Sequence, residues 1–200
     1  MIGFISYLVN GISLGSVYAL IALGYTMVYG IAKMLNFAHG DVIMIGAYVA
    51  FTAVSGMGMP PVVGVLLSVV ACTVLGVLIE RIAYKPLRKA SKLAVLITAI
   101  GVSYFLQNVA LLIYGANTKS FTSVVTIPAL KLMDGKLVIS GETIVTVVAC
   151  LIIMAGLMTF MKYSKSGRAM LAVSEDSGAA QLMGVNVNAT IALTFAIGSA

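Results

Sequence analysis

Residues 61–82 read PVVGVLLSVVACTVLGVLIERI, a stretch with no charged side chain before Glu80 and no proline after Pro61. As helix, about 20 apolar residues are enough to cross a hydrocarbon core of about 30 Å. Comparable runs lie on either side, at about 5–32, 40–56, 93–114 and 141–161, and another opens near Ala189 and is still apolar at Ala200. The pattern predicts an all-α fold, a polytopic transmembrane helix bundle with five complete spans and the start of a sixth. Half a span leaves backbone polar groups with no route across a bilayer, so residues 1–200 read as a C-terminally incomplete membrane domain.

Composition agrees. Of 200 residues, 61% are hydrophobic and 9% charged, against about 45–50% and about 25% in soluble domains. The net charge of +6 does not point to nucleic acid, because the basic residues sit between the apolar runs rather than along a polar face. Lys33, Arg81, Lys85, Arg88, Lys89, Lys92, Lys162, Lys165 and Arg168 fall on one side of the alternating spans; Lys119, Lys131 and Lys136 fall on the other. The positive-inside rule makes the first group cytosolic and places the N-terminus outside. Met1 to Tyr7 carry no Lys or Arg and the apolar run behind them continues to Ile31, which reads as an uncleaved first span, not a signal peptide. Cys72 and Cys150 lie inside apolar runs without a CxxC or a His partner, so neither a disulfide framework nor a metal site is expected.

Small residues recur at every fourth position in the third run, at Gly64, Ser68, Cys72 and Gly76, and Gly11 and Gly15 form GxxxG in the first. Such stripes let helices approach closely, and helix packing is their expected use. Glu80 continues the third-run stripe, and a carboxylate there needs a partner, either adjacent Arg81 or the basic loop that follows. Residues 115–140, with Thr122 to Thr126 before Pro128, are too polar to span and read as an external loop with a short strand or surface helix.

The residues that could carry chemistry are few. There is no Gly-x-x-x-x-Gly-Lys-Ser/Thr loop to hold nucleotide phosphates, no HExxH, and the single His39 has no triad, so the chain is not expected to be an enzyme. Asn36-Phe37-Ala38-His39-Gly40-Asp41 interrupts two apolar runs. The alternation of sides favours a turn at the cytosolic edge; the other reading is a discontinuous transporter helix whose free N–H groups receive a solute. Thr98, Gly101 and Asn108 share a helical face, with Gln107 displaced by about 100°. Helix-to-helix hydrogen bonding and lining of a solute passage are both open to them. Asn36, His39, Thr98 and Asn108 are therefore the candidate substrate-pathway residues.

Four ordered blocks carry a resemblance: Gly15 to Gly30 (GSVYALIALGYTMVYG), Leu35 to Asp41 (LNFAHGD) with Gly46-Ala47-Tyr48, Glu80 to Arg88 (ERIAYKPLR), and Gly167-Arg168-Ala169 through Glu175-Asp176, Ala179-Ala180 and Gly184. On these the chain resembles the LivH-type permeases of branched-chain amino acid ABC importers. The resemblance implies a permease subunit that passes Leu, Ile or Val delivered by an external solute-binding protein. It also implies a second permease (a related one or a second copy), ATP-binding subunits holding ATP and Mg, no cofactor in this chain, and residence in the cell inner membrane. Residues 164–188 would contain the coupling helix to the ATPase, with Gly167, Arg168, Glu175, Asp176, Ala179, Ala180 and Gly184 matching its motif. Leu171 departs from the family, where a basic residue is common.

Near relatives also handle urea, short-chain amides or other amino acids. An ion-coupled carrier is the rival from another class. It needs acids deep in the membrane, whereas Glu80, Asp41, Glu142, Glu175 and Asp176 are all expected at span edges or outside.

Overall fold

The computed structural model describes residues 2–88, 90–120, 128–132 and 137–200; Lys89, Lys136 and the Thr122 to Thr126 stretch lie outside them. Eight α-helices follow in order: α1 (Ile2–Ala32), α2 (His39–Phe51), α3 (Pro61–Ile79), α4 (Lys92–Tyr114), α5 (Gly141–Tyr163), α6 (Lys165–Glu175), α7 (Ser177–Leu182) and α8 (Val187–Ser199). The expected polytopic helical architecture is present. Among the described residues four helices are long and apolar enough to cross a membrane, at Gly3–Ala32, Pro61–Leu87, Lys92–Tyr114 and Gly141–Tyr163.

Local chemistry sets the helix ends. Ser91, Ser140, Asp176 and Asn186 accept hydrogen bonds from backbone N–H groups in the first turns of α4, α5, α7 and α8. Pro61 opens α3, where a missing N–H costs nothing. Pro86 ends it: without an N–H, and with its ring against the preceding turn, it cannot continue an α-helix. The chain responds with a π-helical turn at Glu80–Tyr84, in which Lys85 N–H reaches back to Glu80 O, and a 3-10 turn at Lys85–Leu87. α2 likewise passes into a π turn, Thr52–Gly56, closed by Met57 N–H on Thr52 O at 3.0 Å.

The chain divides into two compact units. The first contains the described residues of Met1–Leu23 and Thr122–Ser164. Within the expected 115–140 loop, strands β1 (Leu130–Leu132) and β2 (Leu137–Ile139) form an antiparallel hairpin, with Leu130 opposite Ile139. A cavity of about 240 Å³ separates Val9 and Ile12 of α1 from Thr143, Ile144, Val147 and Val148 of α5. A Cβ on Gly11 or Gly15 would meet nothing within 4 Å among the described residues of this chain.

The second unit contains Gly24–Phe121 and Lys165–Ala200. Its core is the stripe on α3. A Cβ on Gly64 would lie 2.6 Å from Val54 Cγ2, and Ser68 Oγ donates to Gly46 O at 2.8 Å. Cys72 Sγ faces Val42 O at 3.5 Å, and a Cβ on Gly76 would come within 2.6 Å of Ser199 Cβ and 3.0 Å of Phe195 O. One face of α3 thus holds α2 at one end and α8 at the other. Gly24 and Gly198 give α1 and α8 a similar approach, a Cβ on Gly24 falling 2.6 Å from Gly198 O.

These contacts correct the expected edge turn. α2 runs against α3 with Val42 opposite Cys72, near the middle of the Pro61–Leu87 span. α1 ends at Ala32, yet His39 returns to the level of Gly24, eight residues earlier in α1, or about 12 Å back along its axis. An unwound segment, Lys33–Ala38, therefore leads into a helix that starts beside the interior of α1 rather than at its end.

Gly76 tests the packing. Gly76→Ala places a methyl against backbone and Ser199, and is expected to cost about 1–3 kcal/mol, whereas Gly101→Ala, with open space beyond it, leaves stability unchanged or raises it. Thermal unfolding of the detergent-purified full-length protein checks both.

Candidate functional site within the second unit

The unwound segment is held by α3. Tyr84, buried in the π turn, donates from its hydroxyl to Asn36 Oδ1 at 3.0 Å and reaches Leu35 O at 3.3 Å. His39 N–H donates to Asn36 O at 3.2 Å, and Lys33, the only non-glycine residue with positive φ among those described (φ 56), turns the chain out of α1. Non-helical backbone at membrane depth is stable only where protein satisfies it in this way. Asn36 and His39 are both buried, and the His39 ring meets Tyr25 edge-on with centroids 6.1 Å apart.

Asp41, in the first turn of α2, is 8% exposed and reaches across to α4. Ser103 Oγ donates to its Oδ2, and Gln107 Nε2 donates to its Oδ1 at 3.0 Å and to Ser103 Oγ at 3.2 Å. Ser103 is the midpoint of Lys92–Tyr114. Asp41 is therefore an acid near mid-span, and its expected place at a span edge is corrected; acid placement no longer weighs against ion coupling. At the other end of α2, the Tyr48 ring stacks on Tyr114 at 4.1 Å and Thr52 Oγ1 hydrogen-bonds Tyr114 Oη at 3.0 Å.

The four candidate pathway residues do not form one site. Asn36 and His39 belong to the unwound segment, whereas Thr98 Oγ1 bonds Ala94 O at 2.9 Å and Asn108 Nδ2 bonds Tyr104 O at 2.7 Å, each within its own helix. The residues that sequence reasoning missed are Ser103 and the displaced Gln107. The available signal was their i, i+4 spacing opposite an acid.

Glu80, only 1% exposed, pairs with Arg88 from the following basic loop; adjacent Arg81 is exposed. The Arg88 guanidinium also donates to Asn188 Oδ1 in the first turn of α8. One cation thus ties the end of the third span to the start of the last helix.

Residues 164–188 form two helices. On α6, Gly167, Met170 and Val173 are buried and Arg168 and Glu175 exposed. Asp176 breaks the path and caps α7, its Oδ1 accepting from Gly178 N–H at 2.8 Å and Ala179 N–H at 3.0 Å. Ala180 is buried and Ala179 exposed, and Leu182 and Met183 stand 90% and 85% exposed. α7 closes with Val185 N–H on Ala180 O and Gly184 N–H on Gln181 O, both at 3.0 Å, with Gly184 at φ +87. This paired closure needs a residue in the left-handed region, which glycine enters without steric cost.

The family model described as branched-chain amino acid transport system / permease component matches residues 7–200. The chain belongs to this permease family. It is 43% identical to the high-affinity branched-chain amino acid transport system permease protein BraD of Pseudomonas aeruginosa and 41% identical to LivH of Escherichia coli; each comparison covers 98% of the chain and 67% of the relative. A probable branched-chain amino acid permease of Methanocaldococcus jannaschii is 29% identical over 86% of the chain and 55% of its own length. No solved structure matches. The permease is thus an integral membrane transport component, not an enzyme.

Removing one partner of a buried ion pair strands the other charge, at a cost of about 3–5 kcal/mol. Arg88→Ala is expected to lower the unfolding temperature of the purified permease sharply, and the neutral double variant Glu80→Gln/Arg88→Met to recover most of the loss.

Proposed function

We propose that the permease is the membrane subunit of an ATP-driven importer that passes leucine, isoleucine and valine inward after an external solute-binding protein delivers them. The observation that carries this reading is identity of about 40% across almost the whole chain to permeases named for high-affinity branched-chain amino acid transport. The described parts of the chain offer no phosphate-binding loop, so ATP and Mg are assigned to partner ATPase subunits, and a second permease, related or identical, completes the pathway. We assign the permease to the cell inner membrane, with its N-terminus and the 115–140 hairpin region outside and α6 and α7 in the cytosol.

In this reading α7 is the part that docks on the ATPase. Its exposed Leu182 and Met183 are unusual for a six-residue helix unless something covers them, and Gly184 holds them in a fixed turn. Closure of the ATPases on ATP would push this element, and α8, joined to the third span through Arg88, would carry the displacement into the helices around α3.

Two measurements test the proposal. Proteoliposomes holding the full-length permease and its partner subunits, with the binding protein and leucine outside, are expected to accumulate leucine only with ATP enclosed on the side of the ATPase subunits; no leucine, isoleucine or valine uptake would reject the substrate assignment. Gly184→Arg adds bulk and charge at a left-handed position, and is expected to abolish co-purification of the ATPase while membrane insertion stays normal.

A further inference from the structure

The Asp41, Ser103 and Gln107 triad is built from more than packing requires. A carboxylate near the middle of a span is costly unless something offsets its charge. Both neighbours that touch it are neutral, and the one ion pair formed among the described residues, Arg88 with Glu80, leaves Asp41 out. The countercharge is therefore to be sought outside the triad.

The hydrogen-bond inventory says what could supply it. Ser103 spends its O–H on Asp41 Oδ2, and Gln107 spends its amide N–H groups on Asp41 Oδ1 and Ser103 Oγ. No side-chain donor remains in the cluster; the remaining capacity is all acceptor, on the carboxylate, which offers about four lone-pair positions, and on the Gln107 carbonyl. Such a group suits a cationic donor of several hydrogen bonds and rejects a carboxylate. Access is available at Gln107, which is exposed on α4 among Ile100, Tyr104 and Leu111, themselves 39%, 63% and 51% exposed. Positions 100, 104, 107 and 111 follow one helical face, giving apolar surface beside the polar acceptor.

We propose that Asp41, with Ser103 and Gln107 holding it, receives the primary ammonium group of the transported solute part-way across the membrane, while the adjacent apolar face of α4 takes its hydrocarbon end. This rests on the importer reading for the identity of the solute, though not for the chemistry of the acceptor.

The test uses the full-length permease in its complete complex in proteoliposomes, with radiolabelled leucine as probe. Wild-type uptake comes first and judges the importer reading alone. If wild type carries another ammonium-bearing solute instead, the variants are read on that solute; if it carries only an uncharged solute such as urea or an amide, the inference is overturned. Asp41→Asn keeps the shape and removes the charge. Loss of a charge-assisted contact predicts an uptake rate about 10- to 100-fold lower, with ATPase subunits still co-purifying and Asp41→Glu restoring most of the rate. Uptake by Asp41→Asn at the wild-type rate would overturn the proposal, as would a sodium requirement in wild type that the variant abolishes. Should Asp41→Asn fail to assemble, Gln107→Leu takes its place: reduced uptake in an assembled complex supports the acceptor, and unchanged uptake overturns it.

Discussion

The second unit depends on how six non-helical residues, Lys33–Ala38, are accommodated between two membrane helices. Every backbone N–H and C=O at that depth must find a protein partner. Lys33 N–H on Tyr29 O and His39 N–H on Asn36 O meet part of this demand, and Tyr84 adds a partner from the opposite helix, bonding the Asn36 side chain and approaching the Leu35 carbonyl. It can do so because the π turn at Glu80–Tyr84 brings it inward, where its ring packs on Phe195 with centroids 5.3 Å apart. The same turn holds Glu80, whose charge is matched by Arg88. A proline-driven change of helical register, a buried ion pair and an unwound segment are thus parts of one solution.

Close backbone approach is the second requirement. Gly64, Ser68, Cys72 and Gly76 give α3 a face on which α2 and α8 seat almost without intervening side chains. Apolar burial discriminates poorly between neighbours when lipid is as apolar as the protein interior, so shape matching and short hydrogen bonds carry the specificity. The Ser68 hydroxyl is typical: it donates to a carbonyl of the neighbouring helix, a bond available only at this separation.

Much of this was legible in the sequence. Span positions followed from apolar runs because the bilayer dictates their length, and the small-residue stripe on α3 was visible from its spacing. The depth of Asp41 was not, because hydropathy counts residues along the chain and cannot distinguish an edge turn from an unwound return into the membrane. The GxxxG pair at Gly11 and Gly15 is legible only as a capacity for close approach: the motif names no neighbour, and none faces it among the described residues of this chain. Gln107 was set aside for lying off the Thr98 and Asn108 face, and only three-dimensional contact with α2 reveals its partner.

The π turn at Glu80–Tyr84 also makes the C-terminal end of the third span unusually sensitive to chain length. A π turn holds one residue more than the α-helical path it replaces. The turn therefore takes up a residue that would otherwise rotate each later side chain by about 100° around the axis. One further residue inserted there, with no turn to absorb it, would swing Arg88 away from both Glu80 and Asn188, although no contact residue had been substituted. The number of residues between Cys72 and Arg88 is thus itself a structural constraint.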